Sequence, residues 1–278
     1  MKKAIQIGYN ELFEKKCQFA QEAGFDGIAV NFTSVLDKTE YDWEKITENI
    51  QRILDENSLE CVQTHPYYYD LRVSSEEVED RLEFAVKQAI IAGGKLGAKW
   101  NVIHPRSSVS TGFRTADALR DNKKVFADYL ECAAKYNTGV AAENLPVFSG
   151  IIPCMPFYSS NYEDLCNLVD SFDVDNIGIC WDTGHANMMS FDQADAIRFL
   201  GNRIKCTHIH NNFKRQDLHL PPDCGDINWE KVMDAFKSID YDGPLTLETH
   251  CLYVDDDLLR AFAKFNLAGL KYIEQFAK

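Results

Sequence analysis

The chain has 278 residues, 45% hydrophobic and 12% aromatic, and a formal net charge of −14 from 43 acidic and 29 basic side chains. That is apolar material enough for a sizeable core, yet no window approaches the roughly 18 uninterrupted apolar residues of a membrane span. The acidic balance opposes generic attraction to phosphate backbones or anionic membranes. The first residues, MKKAIQIGYNELFEKK, turn charged too soon for the apolar stretch of an export signal. Nine scattered cysteines with no CxxC pair read as reduced, structural thiols, so the expectation is a cytoplasmic protein.

This length suits one barrel or two ordinary domains, and the pattern along the chain decides. Short runs rich in β-branched and aromatic residues predict strands at 4–8, 27–32, 60–66, 100–105, 139–144, 177–182, 204–210 and 244–250. Segments of helical period alternate with them, at 10–23, 42–57, 75–97, 115–137, 161–172, 192–201, 228–239 and 255–276. Eight strands, each followed by a helix, with no Pro/Gly/Ser-rich linker, predict a single α/β domain over 1–278, a (β/α)8 TIM barrel. The longest connection, LPVFSGIIPCMPFYSS at 145–160, is too apolar for a passive loop and stands where a barrel keeps a lid.

In such a barrel the chemistry gathers at the C-terminal ends of the strands. Strands three to eight end in Thr64-His65-Pro66, Ile103-His104-Pro105, Ala142-Glu143-Asn144, Trp181-Asp182-Thr183-Gly184-His185, His208-Ile209-His210 and Leu247-Glu248-Thr249-His250. The seventh histidine, His219, lies in the loop DLHLPPDCGDINW after strand seven, two residues from Asp217. Alone, any one of these is about twice as often hydrogen-bonded structure or a helix cap as a ligand. Six consecutive strands ending this way would focus carboxylates into one cavity at a cost of roughly several kcal/mol, unless a cation neutralises them. Imidazole with carboxylate and no thiolate suits a divalent ion such as Zn²⁺, Mn²⁺, Co²⁺ or Fe²⁺ better than Ca²⁺.

The strand-end motifs THPYYYDL, NVIHP, AAENLP, CWDTGHAN, THIHNN, DLHLPPDCGDINW and LTLETH, in this order, resemble the xylose isomerase-like barrel superfamily. It holds sugar isomerases and epimerases and the family-two apurinic endonucleases. The resemblance implies a common metal held by Glu143, Asp182, a strand-seven histidine and Glu248. Period two puts His208 and His210 on the same face. His208 is preferred as the ligand, because Asn211-Asn212 stands where relatives place an Asp-containing pair shortly after it, and His210 is then a substrate-contact candidate. The endonuclease branch further implies a second metal assisted by His65 and His104, and a third at His185, Asp217 and His219. The expected cofactor is thus one to three divalent ions, zinc or manganese first.

Two activities follow. The first is an isomerase or epimerase of a sugar or sugar derivative, moving a proton next to a carbonyl through a metal-stabilised enediolate. Resemblance to ketose epimerases gives Glu143 and Glu248 a double role as ligands and as acid/base pair on opposite substrate faces. His185 steers a substrate oxygen, and Trp181, Lys214 and Arg215 join the substrate-binding candidates. Trp100, Phe32, Tyr67 and Tyr68 fit either sugar-ring walls or packing equally well. The second is a multinuclear-metal phosphodiesterase of the apurinic endonuclease type, which the full ligand set favours. The charge balance, and Phe213-Lys214-Arg215 as the sole basic cluster in a strand-end loop, argue against a nucleic-acid partner. A barrel that only binds predicts broken ligand positions, and none is broken. The partner is a small carbohydrate, with self-association left open.

Overall fold

The eight apolar runs become eight parallel strands: β1 (Lys3–Gly8), β2 (Gly27–Asn31), β3 (Glu60–His65), β4 (Trp100–Ile103), β5 (Gly139–Glu143), β6 (Ile177–Asp182), β7 (Ile204–His208) and β8 (Leu245–Leu247). They come from a computed structural model that describes residues 1–35, 42–67, 76–107, 115–146, 158–189, 191–251 and 254–277. Neighbours in sequence are neighbours in space, in the order β7-β6-β5-β4-β3-β2-β1-β8. The ring closes just past β7, where Ile209 N–H donates to Thr246 O and Glu248 N–H donates to Ile209 O. This is the (β/α)8 TIM barrel that the alternating pattern predicts.

Helices α1 (Phe13–Ala23), α2 (Trp43–Glu56), α3 (Glu76–Lys95), α4 (Thr115–Ala134), α5 (Tyr162–Val169), α7 (Gln193–Leu200), α8 (Trp229–Ser238) and α9 (Asp256–Glu274) fill the connections. Short polar side chains start several of them: Asp192 accepts from Ala194 N–H, Asn228 from Lys231 N–H and Asp255 from Leu258 N–H. One element goes beyond the sequence reading. A short helix, α6 (Thr183–Asn187), springs directly from β6 because Asp182, the last strand residue, caps it. Strands seven and eight are shorter than their apolar runs, since the residues beyond them leave the ladder to form the site. Of the expected lid, residues 147–157 lie outside the described residues. Its ends meet, Leu145 N–H donating to Ser159 O at 3.2 Å.

Alternation then sorts the strands' side chains. Ile5, Ile28, Val140, Ile177 and Ile179 face the helices in one continuous core. Inside the barrel, Val102, Ala141, Cys180 and Cys206 form a small separate cluster. Two residues further along the same strands come His104, Glu143, Asp182 and His208. A polar brace crosses the interior as well: Gln63 on β3 donates to Thr207 O and accepts from the Thr246 hydroxyl. Burial raises the Cys180 thiol well above its ordinary range, so this sulfur stays protonated beneath the site.

Candidate metal centre

At the C-terminal mouth the ligand-type side chains converge. The candidate ligand atoms of Glu143, Asp182, His208 and Glu248 all lie within 4.8 Å of one another, and all four residues are buried. His208 Nδ1 is 2.8 Å from Glu143 Oε1, 3.1 Å from Glu248 Oε2 and 3.9 Å from Asp182 Oδ2. On the β3–β4 side, His65, His104 and Glu143 make a second such group, with the two Nε2 atoms 3.3 and 3.0 Å from Glu143 Oε2. His185, His210, Asp217 and His219 make a third.

The CWDTGHAN stretch supplies much of this geometry, each residue for a separate reason. Asp182 Oδ1 accepts His185 N–H at 2.6 Å, so one carboxylate both caps α6 and faces the ligand groups. The Thr183 hydroxyl donates to His210 O at 2.9 Å, clamping the end of β6 to the turn after β7. Gly184 is there because a Cβ would collide with the His210 ring. Asn187 reaches across to Asn212 Oδ1 and Asp226 Oδ1, at 3.0 and 2.7 Å.

The loop carrying Asp217 and His219 is pinned along its length by Asn211 and Asn212. Asn211 and Leu220 exchange two backbone hydrogen bonds, and Asn211 Nδ2 donates to Pro222 O at 2.7 Å. Its Oδ1 accepts from Asn212 N and Ile227 N, and Gly225 leaves the space that this packing needs. Asn212 Nδ2 donates to Gly184 O at 2.8 Å. Both amides donate and accept at once, which carboxylates cannot do, and this gives Asn-Asn a structural reason. His219 itself has φ 46°, a left-handed conformation that costs a non-glycine residue energy. It is held by Nδ1 donating to Glu248 O at 2.9 Å and by His250 N–H donating to His219 O.

Ring tautomers make the case for a cation. A backbone carbonyl only accepts, so a ring nitrogen against one carries the proton. His65 Nδ1 faces Pro66 O at 2.8 Å, His185 Nδ1 faces Asn144 O at 2.8 Å, and His219 Nδ1 faces Glu248 O. Each Nε2 lone pair is thereby turned on a carboxylate: His65 toward Glu143 Oε2, and His185 and His219 toward Asp217 Oδ2 at 3.1 and 3.0 Å. Lone pair against anion is repulsive unless a second proton or a metal ion stands between them. Among the described residues, His208 Nε2 and His210 Nδ1 are also buried without hydrogen-bond partners. The donor set therefore fits divalent metal, and these groups could hold one or more ions.

Without metal the protons take that place. Burial opposes charge on His208, and Glu248 and Glu143 outweigh it, raising its pKa well above the ordinary value. His185 is likewise raised against burial, by Asp182 and Asp217. His219 is pushed up to about 9, burial being overcome by Asp217 and Glu248. The carboxyls of Glu143, Glu248 and Asp217 are held below the usual range, burial being outweighed by His208 for the two glutamates and by His185 for Asp217.

Several expected residues stand elsewhere. Trp181 is not at the cavity: its neighbour Asp182 points inward, so alternation turns the indole outward, fully buried against Phe191. Phe32 packs against Trp43 in the same outer core. Trp100 helps line a cavity of about 480 Å³ at the opposite, N-terminal mouth, with Lys99, Lys205 and Tyr241. Lys214 and Arg215 are exposed on the loop after β7, outside the three ligand groups. Tyr67 is half-buried just past β3, and Tyr68 lies outside the described residues. His210 is fully buried, 2.9 Å from Asp182 Oδ1, with its ring stacked on His219 at 4.2 Å. The sequence reading passed over Gln6, whose Nε2 donates to Glu248 Oε1 at 2.7 Å, and Asn144, whose amide joins the end of β5 to Asp182 backbone at both N–H and C=O. A lone amide inside the apolar strand AIQIG was the available signal.

Comparison with known proteins places these motifs in context. A family model described as xylose isomerase-like TIM barrel matches residues 17–264. An uncharacterized protein of Methanocaldococcus jannaschii is 27% identical over 219 residues, covering 77% of this chain and 72% of that one. A D-psicose 3-epimerase of Enterocloster bolteae is 27% identical over 158 residues, 57% of this chain and 47% of that protein, so the match spans about half of the epimerase. Among solved structures, a D-tagatose 3-epimerase-like protein superposes with a TM-score of 0.75 at 22% identity, covering all of both chains.

Proposed function

This chain belongs to the xylose isomerase-like TIM barrel family, and on that premise we propose that it is a divalent-metal-dependent isomerase or epimerase of a sugar or sugar derivative. The observation that carries the reading is the convergence of Glu143, Asp182, His208 and Glu248, four buried ligand-type groups at the mouth of the barrel. The likeness to a D-psicose 3-epimerase supports a substrate with a carbonyl beside hydroxyls.

A bound divalent ion, zinc or manganese, would supply Lewis acidity toward the substrate's carbonyl and neutralise the carboxylates. Glu143, Asp182, His208 and Glu248 would hold it. Glu143 ends β5, Glu248 follows β8, and the two approach His208 from separate strands, which supports a role in which one would take a proton from a substrate carbon and the other return one to its other face. Gln6 holds Glu248 Oε1 in orientation. Asp182 carries the α6 cap, so its carboxylate is fixed before substrate arrives. His185, tied to Asn144 O and facing Asp217, would bind a further ion or a substrate oxygen.

A second reading has its own support. The groups His65–His104–Glu143, His65–His208–Glu248 and His185–His210–Asp217–His219 stand beside the Glu143–Asp182–His208–Glu248 group, and such a multiple set suits a phosphodiesterase of the apurinic endonuclease type. The net charge of −14 weighs against a nucleic-acid substrate. Solvent-deuterium exchange into a panel of ketoses and inososes, run beside nicking of an abasic-site duplex, separates the two. Exchange that Glu143→Gln and Glu248→Gln each abolish, with the fold intact, is the expected result. Nicking at catalytic rates without exchange would reverse the assignment.

A further inference from the structure

Helix α9 carries an apolar stripe that none of the described residues covers. Leu259, Ala263, Leu267, Leu270 and Ile273 are buried against the barrel. On the opposite side Leu258, Phe265 and Tyr272 are 47%, 46% and 53% exposed. Between them sit the exposed Ala261 and Ala268. The steps of three, four, three and four residues keep all five on one line along the helix. One protomer alone would hold three large apolar side chains in a row in water.

Two properties of the stripe specify what covers it. The first is its order: large, small, large, small, large, symmetric about Phe265. Turned end for end on a two-fold axis near Phe265, a second copy sets Leu258 opposite Tyr272, Ala261 opposite Ala268, and Phe265 opposite its own counterpart. The alanines let the two backbones approach. Beyond the helix start, Val254, 69% exposed, meets Phe276 of the reversed copy, which packs edge-on to Tyr272.

The second property is charge. Asp257, Lys264 and Lys271 follow one edge of the stripe at seven-residue spacing. In an antiparallel pair like edges face each other, so Asp257 of each copy comes beside Lys271 of the other, twice over, while Lys264 meets its own counterpart near the axis, one repulsion against two attractions, and the helix dipoles oppose. A parallel pair would set acidic end on acidic end. Size order and the two outer charge pairs thus favour the same partner, this chain reversed, and such self-complementarity is the mark of an isologous two-fold contact. We propose that α9 is the interface of a homodimer, two copies packing antiparallel about Phe265. The proposal stands apart from any reading of the active site.

Sedimentation or light scattering of the full chain at tens of micromolar should give twice the 31.7 kDa of one protomer. Phe265→Glu should give a single-chain mass with an unchanged far-UV circular dichroism spectrum, since the side chain is exposed, and a melting temperature that no longer rises with protein concentration. Asp257→Lys alone should weaken the dimer roughly tenfold by replacing two attractions with repulsions, and adding Lys271→Asp to the same chain should restore it to within about threefold. Phe265→Cys should cross-link to its own counterpart on oxidation, whereas Phe84→Cys on α3, more exposed at 59% against 46%, should not. A wild type that stays one chain, or a dimer that survives Phe265→Glu, overturns the proposal.

Discussion

Gln6 Nε2 donates to Glu248 Oε1 at 2.7 Å, and the oxygen at the other end of the same amide is buried with no donor. The carboxylate can only accept, so the orientation of the amide is fixed, and its oxygen is left without a donor among the described residues. Gln6→Met keeps the volume and removes the bond. A hydrogen bond to a charged group is worth about 1.5–3 kcal/mol, so kcat/KM should fall roughly 10- to 100-fold with the fold unchanged. Gln6→Glu sets a second carboxylate against Glu248, and the acid limb of the rate profile should move to higher pH. Steady-state kinetics across pH on both variants checks this, and a wild-type profile for Gln6→Glu refutes it.

Metal binding at the third group must expel a proton. His219 has a metal-free pKa of about 9, raised from 6.5, so it is charged at neutral pH, and a ligand nitrogen must be neutral. Calorimetry with Zn²⁺ or Mn²⁺ in two buffers of different ionisation enthalpy should show release of at least one proton at pH 7, with affinity rising up to about pH 9. The stability of the metal-free chain runs the other way. A raised histidine contributes fully below its unfolded pKa and loses that contribution as pH climbs through the folded one, so melts in chelator should weaken between 6.5 and about 9. Added metal should flatten that decline.

Gly184→Ala would push its methyl into the His210 ring. Because the Thr183 clamp holds the His210 backbone, the ring must turn away from Asp182. Metal analysis should show the third group losing about tenfold or more in affinity, while the Glu143–Asp182–His208–Glu248 group stays loaded. Asp217→Ala and His219→Ala should reproduce that loss; unchanged stoichiometry in both would remove this loop from the ligand set.

Asn212→Asp exchanges a donor for an anion facing Gly184 O. An unpaired buried acceptor costs about 1–3 kcal/mol, which for a chain of this size lowers Tm by roughly 2–4 °C per kcal/mol. Scanning calorimetry on the metal-loaded protein checks the drop. An Asp variant as stable as wild type would mean that the loop does not hang on this amide.

The barrel was legible because its signals are local: Ile5, Ile7, Ile28 and Val30 alternate as strand residues must, and Asp192 and Asn228 announce helix starts where they cap them. Most of the candidate ligands stood out because they close apolar runs, whereas Asp217 and His219 lie in a loop and stood out only by their spacing. What stayed hidden depends on contacts distant in sequence. Gln6 meets Glu248 across 242 positions, and Gly184 matters only because the His210 ring lies over it. Trp181 is different: once Asp182 is taken as inward-facing, the parity of the strand already turns the indole out, and the aromatic character of the residue outweighed that rule in the sequence reading.

Glu143 offers Oε1 to His208 and Oε2 to His65 and His104. A single side chain is therefore common property of two neighbouring groups of candidate ligands. An ion on one oxygen would draw electron density from the other, so if both groups bind metal their loading should be linked, and a chelator titration should report a collective response in place of two independent ones.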